Sequence, residues 1–558
     1  MNLIRRLAHH PLWLLFLVAL LVRLLPATVR FVIGSDEGLF LTLGQNLAAG
    51  RGYTGDGATV QIDFPPGFAL FAAAVYLLGG GLELPTQLNI LLIGSLLPLP
   101  IYWLARQLSE PKTALLAGLL TALHPALVLS QGNFESVAEQ PYALLLYTAW
   151  GLLAWGLILA RAGLPNPAQC KRLSDKSWSR FSSLLEQPGK AAPQSTFQTV
   201  SKNWAFALAG LLTGMAHLVR WEGVILGVVA LGIIILVLRR AALKPVLLFA
   251  GGLALFAVPY ALYLYQHTGS ILSPKTMLTQ LHAAAIDASV EDPYAIEKYF
   301  FEPYEAWLAN PRVPPQVVQE NRLAPLQRYA GNVLLELRLW FTSFAFMTLL
   351  WIVPFLVGLR ALGLKQTLFL LPLFIPLAFI PASVVDPRYF LIPLPILMIF
   401  TARGWTWLQE RLPHLRLPFL AQPVSLATLL VVATLALFTL ADLSGPFLYP
   451  RPLEYRTAGL ALRGQIPPGA SILARKRQVP FYANGVWVWL PFTDVDGLLA
   501  YAASHNIDYI ILDQYTTPSL RPQLVGLLDP ANAPASLTPL YVGDNVVLYQ
   551  ISHPNVEN

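Results

Sequence analysis

Residues 11–38 read PLWLLFLVALLVRLLPATVRFVIGSDEG. The stretch from Pro11 to Val32 is long and apolar enough to cross a bilayer, whose hydrocarbon core takes about 20 such residues as a helix. Gly34 and Ser35 then break the helix, and the acidic pair Asp36 and Glu37 follows at once. Arg5 and Arg6 precede the block as they would in a signal sequence. No small-x-small cleavage site follows it, however, and many more apolar blocks do, so it reads as a retained anchor.

The rest of the chain repeats that pattern. Of 558 residues, 55% are hydrophobic and 12% charged, with a mean hydropathy of +0.56, whereas soluble domains carry about 25% charged residues. Further apolar blocks run from Gln87 to Ala105, Thr113 to Ser130, Pro141 to Ala160, Trp204 to Val219, Val224 to Leu238, Pro245 to Tyr265, Leu339 to Leu359, Thr367 to Ser383, Tyr389 to Ala402 and Leu426 to Leu443. The fold class is therefore a polytopic α-helical membrane protein with about 11 crossings, within a range of 11 to 13. The block from Pro66 to Gly80 is short, opens on Pro65-Pro66 and ends in three glycines, so it reads as a juxtamembrane helix inside the first outer loop, residues 31–86.

Loop charges support that choice. With Pro66 to Gly80 not crossing, Arg5, Arg6, Arg106, Lys112, the segment from Arg161 to Lys202, Arg239, Arg240, Lys244, Arg360, Lys365, Arg403, Arg411 and Arg416 all fall on one side, which the positive-inside rule makes cytoplasmic. The N-terminus is then cytoplasmic, in the plasma membrane. Residues 162–203, mixed in Ser, Gln, Pro and Lys and containing Cys170, read as a flexible cytoplasmic linker. The single cysteine excludes a disulfide framework and a Cys-rich zinc site. Residues 1–445 form the transmembrane part. From residue 451 to 558 the composition turns to β-type runs such as Ser471-Ile472-Leu473-Ala474 and Val486-Trp487-Val488-Trp489, a helix from Asp496 to His505 and a hairpin turn at Gly543-Asp544-Asn545, so a small α/β domain is expected outside. It shows no catalytic constellation of its own.

Charges in or beside spans are costly, by roughly 2.5–3.5 kcal/mol each on insertion scales, and mark function more often than charges elsewhere. Here Arg23, Asp36, Glu37, Asp63, Glu135, Glu139, Arg220, Glu222, Lys275, Asp386 and Arg388 collect at the outer ends of helices. An outward-facing polar cavity accommodates them. The Asp36-Glu37 pair would stand at the start of a helix, where acids cap and offset the helix dipole. Its other reading is a carboxylate placed to take a proton from a hydroxyl nucleophile.

The Asp36-Glu37 pair, the Gly50-Arg51-Gly52-Tyr53 turn and Asp63-Phe64-Pro65-Pro66-Gly67 together resemble the first outer loop of the GT-C glycosyltransferases. The resembling group spans protein O-mannosyltransferases, lipid A aminoarabinose transferases and transferases of lipopolysaccharide core sugars. Asn133 to Glu139, Arg220-Trp221-Glu222-Gly223 and Asp386-Pro387-Arg388-Tyr389-Phe390 resemble later stretches of that group. The resemblance implies a sugar donor on a polyprenyl phosphate and a lipid, glycan or protein acceptor, with no nucleic acid involved. It implies Asp36 as the catalytic base, with its neighbour Glu37 and Asp63 positioning the acceptor. Glu135 and Glu139 lie four apart, hence on one helical face, and read either as acids that orient the acceptor in the same cavity or as residues that cap and solubilise a helix end. Arginine stays charged and can bond two phosphate oxygens at once, so Arg388 beside Tyr389 is the expected holder of the departing phosphate, followed by Arg220 and Lys275. A direct displacement of that kind inverts the sugar's configuration. No cofactor is implied with certainty. Some of the group use a divalent metal, but no Asp-x-Asp pair stands near Asp36 and no histidines sit at a ligand spacing, so a metal is not indicated.

The long outer loop at residues 266–330 is rich in Tyr, Pro, Glu and Trp and reads either as an interfacial aromatic belt or as a lid. Two other classes compete. A secondary transporter would carry ionisable residues and broken helices near the midplane, with internal repeats, and neither is evident. A receptor or scaffold gives no reason for acids and arginines to converge at the ends of separate spans.

Overall fold

A computed structural model describes residues 10–129, 137–162, 196–272, 292–295, 297–298, 324–342, 349–382, 385–416, 422–448 and 451–552. Among them, seven helices are long and apolar enough to cross a membrane: Pro11–Thr28 (α1), Leu84–Leu108, Glu139–Ala160, Glu222–Ala241, Leu243–Thr268, Leu364–Ala382 and Leu426–Leu448. The remaining expected blocks are helical too, as in Pro111–Leu123, Thr196–Val219 and Leu349–Leu362. His124-Pro125 ends the first of these, and the His124 ring nitrogen accepts the Ala126 N–H at 3.2 Å. Of the run expected from Leu339 to Leu359, the first residues belong to the helix Ala324–Thr342 and the last to Leu349–Leu362, with residues 343–348 outside the described ones.

The spans pack around one continuous apolar core that includes Ile101, Leu146, Trp150, Phe206, Ile396 and Phe400. Leu21, Leu236, Leu247, Leu255 and Leu440 stay exposed on the outside of the bundle, as expected where lipid replaces water. Gly358 and Gly404 face each other across two helices, and a Cβ on either would overlap the Phe400 or Pro354 carbonyl, the close approach that small residues permit in membranes.

Arg23 differs from the expectation that placed it with the outer charges. It lies inside α1, is fully buried, and donates to the carbonyls of Ala19 at 3.1 Å and Ala122 at 2.9 Å. Asp442, also fully buried, is the acid that acts on Arg23 from Leu426–Leu448. A lone charge there would be expensive, so the bundle buries both together.

Two helices follow α1 in the segment before Leu84–Leu108: Ser35–Ala48 (α2) and Gly67–Leu77 (α3). At about 1.5 Å per residue, the 11 residues of α3 fall well short of a 30 Å hydrocarbon core. Gly44 lets the pair approach, since a Cβ there would lie 2.7 Å from that of Ala72.

The C-terminal region holds a five-stranded sheet of Ser471–Ala474 (β1), Val486–Trp489 (β2), Tyr509–Asp513 (β3), Leu537–Val542 (β4) and Val546–Ile551 (β5). Its order is β2-β1-β3-β5-β4, parallel across β2, β1 and β3 and antiparallel across β3, β5 and β4. A short helix after β1, Gln478–Tyr482, docks this sheet on the first outer loop. Phe481 and Tyr482 enter the apolar cluster of Phe40, Leu41, Phe68 and Ala72. The Tyr482 hydroxyl accepts the Ile33 N–H at 3.1 Å and donates to Glu83 at 2.7 Å.

Candidate active site

Asp36 sits in the first turn of α2. Gly34 precedes the helix in an extended conformation, and Glu37 turns back so that its carboxylate accepts the Gly34 N–H at 2.8 Å. That one-sided cap uses Glu37, 1% exposed, as a local fastener, and Glu37 is not among the residues lining the cavity that Asp36 lines. Asp36 is left projecting from the positive end of the helix.

Arg388 comes from the opposite end of the chain. Asp386 caps the short turn Pro387–Leu391, accepting the Arg388 N–H at 2.9 Å and lying 3.4 Å from its Nε. The turn is pinned to the bundle by Phe390, stacked on Trp340 at 4.7 Å, and by Ile392, whose carbonyl accepts the Tyr147 hydroxyl. From that anchor the Arg388 guanidinium donates to Asp36 at 2.6 Å.

A second arginine faces Asp36 from the C-terminal sheet. Arg477 ends the run Arg475-Lys476-Arg477 beyond the carboxyl end of β1, and its guanidinium lies 3.6 Å from the other Asp36 oxygen. Gly38 makes the approach feasible, because a Cβ there would stand 3.2 Å from the Arg477 Cβ. The C-terminal region, expected to show no catalytic constellation, thus sets one cation beside Asp36 through the docking of its sheet on α2. Arg475-Lys476-Arg477 looks like any solvated basic run in sequence. Its position after a β-strand in an α/β pattern is the one signal that points to a ligand-facing edge.

Burial on its own would push the Asp36 carboxyl up, but Arg388, Arg477 and Lys476 outweigh it and hold the group below the usual aspartate range. Burial likewise pulls the Arg388 guanidinium down, and Tyr389, Asp36, Asp386 and Glu139 together raise it instead. Asp386 is pushed up by burial against the pull of Arg388. Asp36 is an ionised carboxylate in this site and Arg388 a fixed cation.

A cavity of about 50 Å³ opens between these groups, lined by Asp36, Glu139, Arg220, Arg388, Tyr389 and Trp221 among others. Arg220 bonds Glu139 at 2.5 Å and Glu222 at 2.8 Å, and all three are nearly buried. The Arg220 and Arg388 guanidiniums lie 5.1 and 5.3 Å from the Tyr389 ring centre, within cation–π range. Asp63, 2% exposed, lines an adjoining groove. Of the expected site residues, the fold thus brings Asp36, Glu139, Arg220, Arg388 and Tyr389 to one cavity and Asp63 next to it. Glu135 and Lys275 lie outside the described residues.

Among the described residues there is no group of three His, Cys, Asp or Glu placed to bind a metal ion. Asp36, Glu139 and Glu222 each have an arginine within ion-pair distance.

In the long outer loop, Gln266 still belongs to the helix Leu243–Thr268, and the loop's last residues belong to Ala324–Thr342. Between them Glu297 is gripped from the C-terminal sheet by Arg475 at 2.6 and 2.9 Å and by Arg521 at 2.7 Å. Tyr294 packs on Phe492 with ring centres 5.1 Å apart and Lys298 pairs with Asp292 at 2.6 Å, while residues 273–291, 296 and 299–323 fall outside the described ones.

No family model matches the chain, and no curated protein matches it. Solved structures do. The oligosaccharyltransferase of Archaeoglobus fulgidus, tethered to an acceptor peptide, is 15% identical, with a TM-score of 0.57 over 91% of this chain and 69% of its own. The same archaeal enzyme in complex with an inhibitory peptide and a dolichol-phosphate gives 0.53 at 13% identity, over 91% of this chain and 69% of its own. ArnT from Cupriavidus metallidurans, bound to undecaprenyl phosphate, gives 0.53 at 16% identity over 96% of this chain and 97% of its own. At such identities the likeness speaks to architecture, and the architecture of this chain is that of the GT-C glycosyltransferases.

Proposed function

We propose that the protein is an inverting glycosyltransferase that moves a monosaccharide from a polyprenyl-phosphate donor to a hydroxyl of a lipid, glycan or protein at the outer face of the plasma membrane. The observation that carries this reading is the meeting of Asp36 and Arg388 in one cavity at the ends of separate helices. The solved neighbours that hold dolichol-phosphate and undecaprenyl phosphate support the donor class. The run of loop arginines and lysines supports a cytoplasmic N-terminus and an extracytoplasmic sheet.

The chemistry follows from the residues. Asp36 takes the proton of the acceptor hydroxyl as its oxygen forms a bond to the anomeric carbon. The bond from that carbon to the donor's phosphate oxygen breaks, and its electron pair leaves with the polyprenyl phosphate. Arg388 meets the negative charge that grows on the departing oxygens, where a fixed donor is worth most. Because phosphate is a good leaving group, no separate general acid is required.

The ion pair between the two residues has a part in this. An arriving phosphate competes with Asp36 for Arg388, whose Nη1 makes the bond to the carboxylate. The carboxylate then becomes a stronger base when the donor is in place, which favours donor binding before proton transfer. Glu139, bonded to Arg220, and Glu222 fix the far wall of the cavity.

Transfer of label from a panel of undecaprenyl-phosphate monosaccharides by the chain in lipid nanodiscs tests the reading. Loss of transfer in Asp36→Asn with undecaprenyl phosphate still bound supports it, and undiminished transfer in that variant removes it.

A further inference from the structure

Next to the charged cavity lies a larger groove of about 360 Å³ between the first outer loop and the edge strand β2. That size falls in the range of about 300–1,000 Å³ typical of small-molecule sites. One wall is α2 and the turn after it, with Thr59, Gln61 and Asp63. The other is β2, with Trp487 and Trp489, and Arg477 closes one end.

We infer that this groove is the acceptor site and that it takes a saccharide, an inference that rests on the reading of the protein as a glycosyltransferase. Its position comes first. Phe64 lines both the groove and the charged cavity, and α2 gives Asp36 to one and Gly38 and Thr42 to the other. Arg477 lines the groove while its guanidinium stands 3.6 Å from Asp36. The carboxylate therefore sits at the boundary, where a hydroxyl arriving from the groove meets it with Arg388 on the other side.

The lining then selects the chemistry. Trp487 and Trp489 stand two residues apart on one face of β2, with ring centres 5.4 Å apart at 78°. Each is held by an arginine, Arg477 at 4.0 Å from the Trp487 ring and Arg475 at 4.7 Å from the Trp489 ring, and the Trp487 indole N–H donates to Ala474 at 2.8 Å. Immobilised indoles facing hydroxyl, amide, carboxylate and guanidinium groups suit a ligand with apolar C–H faces and a rim of hydroxyls. They offer little to a peptide, which is recognised by main-chain pairing and pockets for alternate side chains. The donor's prenyl chain belongs in the bilayer, and its phosphate ligand Arg388 lies on the far side of Asp36, so the groove is not the donor's.

The test uses the full chain in nanodiscs, probed with an array of neutral di- to tetrasaccharides and an array of serine- and threonine-bearing peptides, alongside thermal-shift titration with undecaprenyl phosphate. Saccharide binding is expected, weakened about tenfold or more by Trp489→Ala and by Thr59→Trp. The second variant fills the groove from an exposed turn and does not depend on removing a packed ring. Stabilisation by undecaprenyl phosphate should persist in both, which shows that they fold. Binding of peptides alone, binding of neither array, or parental saccharide affinity in both variants overturns the inference. Loss of undecaprenyl phosphate binding in the parent with saccharides still bound would instead remove the glycosyltransferase reading and leave a saccharide site standing.

Discussion

Asp36 and Arg388 stand 352 positions apart in the chain and meet at 2.6 Å. One follows the first span and the other precedes a late helix, so the contact exists only when the bundle is closed around both. Asp36→Asn keeps the shape and a hydrogen-bonding group but cannot take a proton. Sugar transfer should fall by at least about 10²-fold, measured as labelled product from a polyprenyl-phosphate donor, with donor binding retained.

Arg388→Lys keeps the charge and loses the planar fork that bonds two oxygens. Transfer should drop by about 10²–10³-fold, mostly in kcat, and Arg388→Ala should add a rise in the donor's KM. Equal activity in the parent and the lysine variant would show that a point charge suffices.

Arg220 behaves differently because it is 7% exposed and bonded to both Glu139 and Glu222. Arg220→Met leaves two buried carboxylates without that partner, which should cost about 3–5 kcal/mol of stability. Thermal unfolding in detergent should therefore separate it from Arg388→Ala, whose partner Asp36 is 28% exposed along its side chain and also faces Arg477.

The pH profile follows from the depressed Asp36 carboxyl. A base whose pKa lies below the usual range keeps working as pH falls past that range, so the acid limb of kcat/KM should lie below it. Arg477→Gln removes one of the charges that outweigh burial, and the limb should move to higher pH. A limb that stays put in this variant would show that Arg477 does not act on the base.

Glu297 makes a stability prediction with the same sign. Burial would raise its carboxyl, but Arg475 and Arg521 hold it below the ordinary glutamate value of 4.5. Its contribution is fully present above that unfolded value and is lost as pH falls through the lower folded one. Glu297→Gln should lower Tm at neutral pH, and the gap to the parent should close as the medium is acidified through that window.

Much of this fold is legible because lipid imposes a simple rule on composition. Apolar runs bounded by charged or glycine-rich turns mark the spans, and the charges beside them marked Asp36, Glu139, Arg220 and Arg388. What the sequence concealed was tertiary. Arg477 reaches Asp36 only because Phe481 and Tyr482 carry the sheet into the apolar cluster of α2 and α3, and no local pattern encodes that docking. Glu37 was readable in principle, since a helix start followed three residues later by Glu is a capping signature. Asp442 lay inside an apolar run, where a lone acid is itself a sign of a buried partner.

The turn after β1 carries Arg475 and Arg477 two residues apart. The first grips Glu297 of the outer segment and the second confronts the carboxylate of α2. Such an arrangement works as a lever with a very short arm: displacing the outer segment tugs the same strand end that steadies the reacting carboxylate. The ion pair at Glu297 and the cation beside the carboxylate of α2 therefore share one short stretch of backbone.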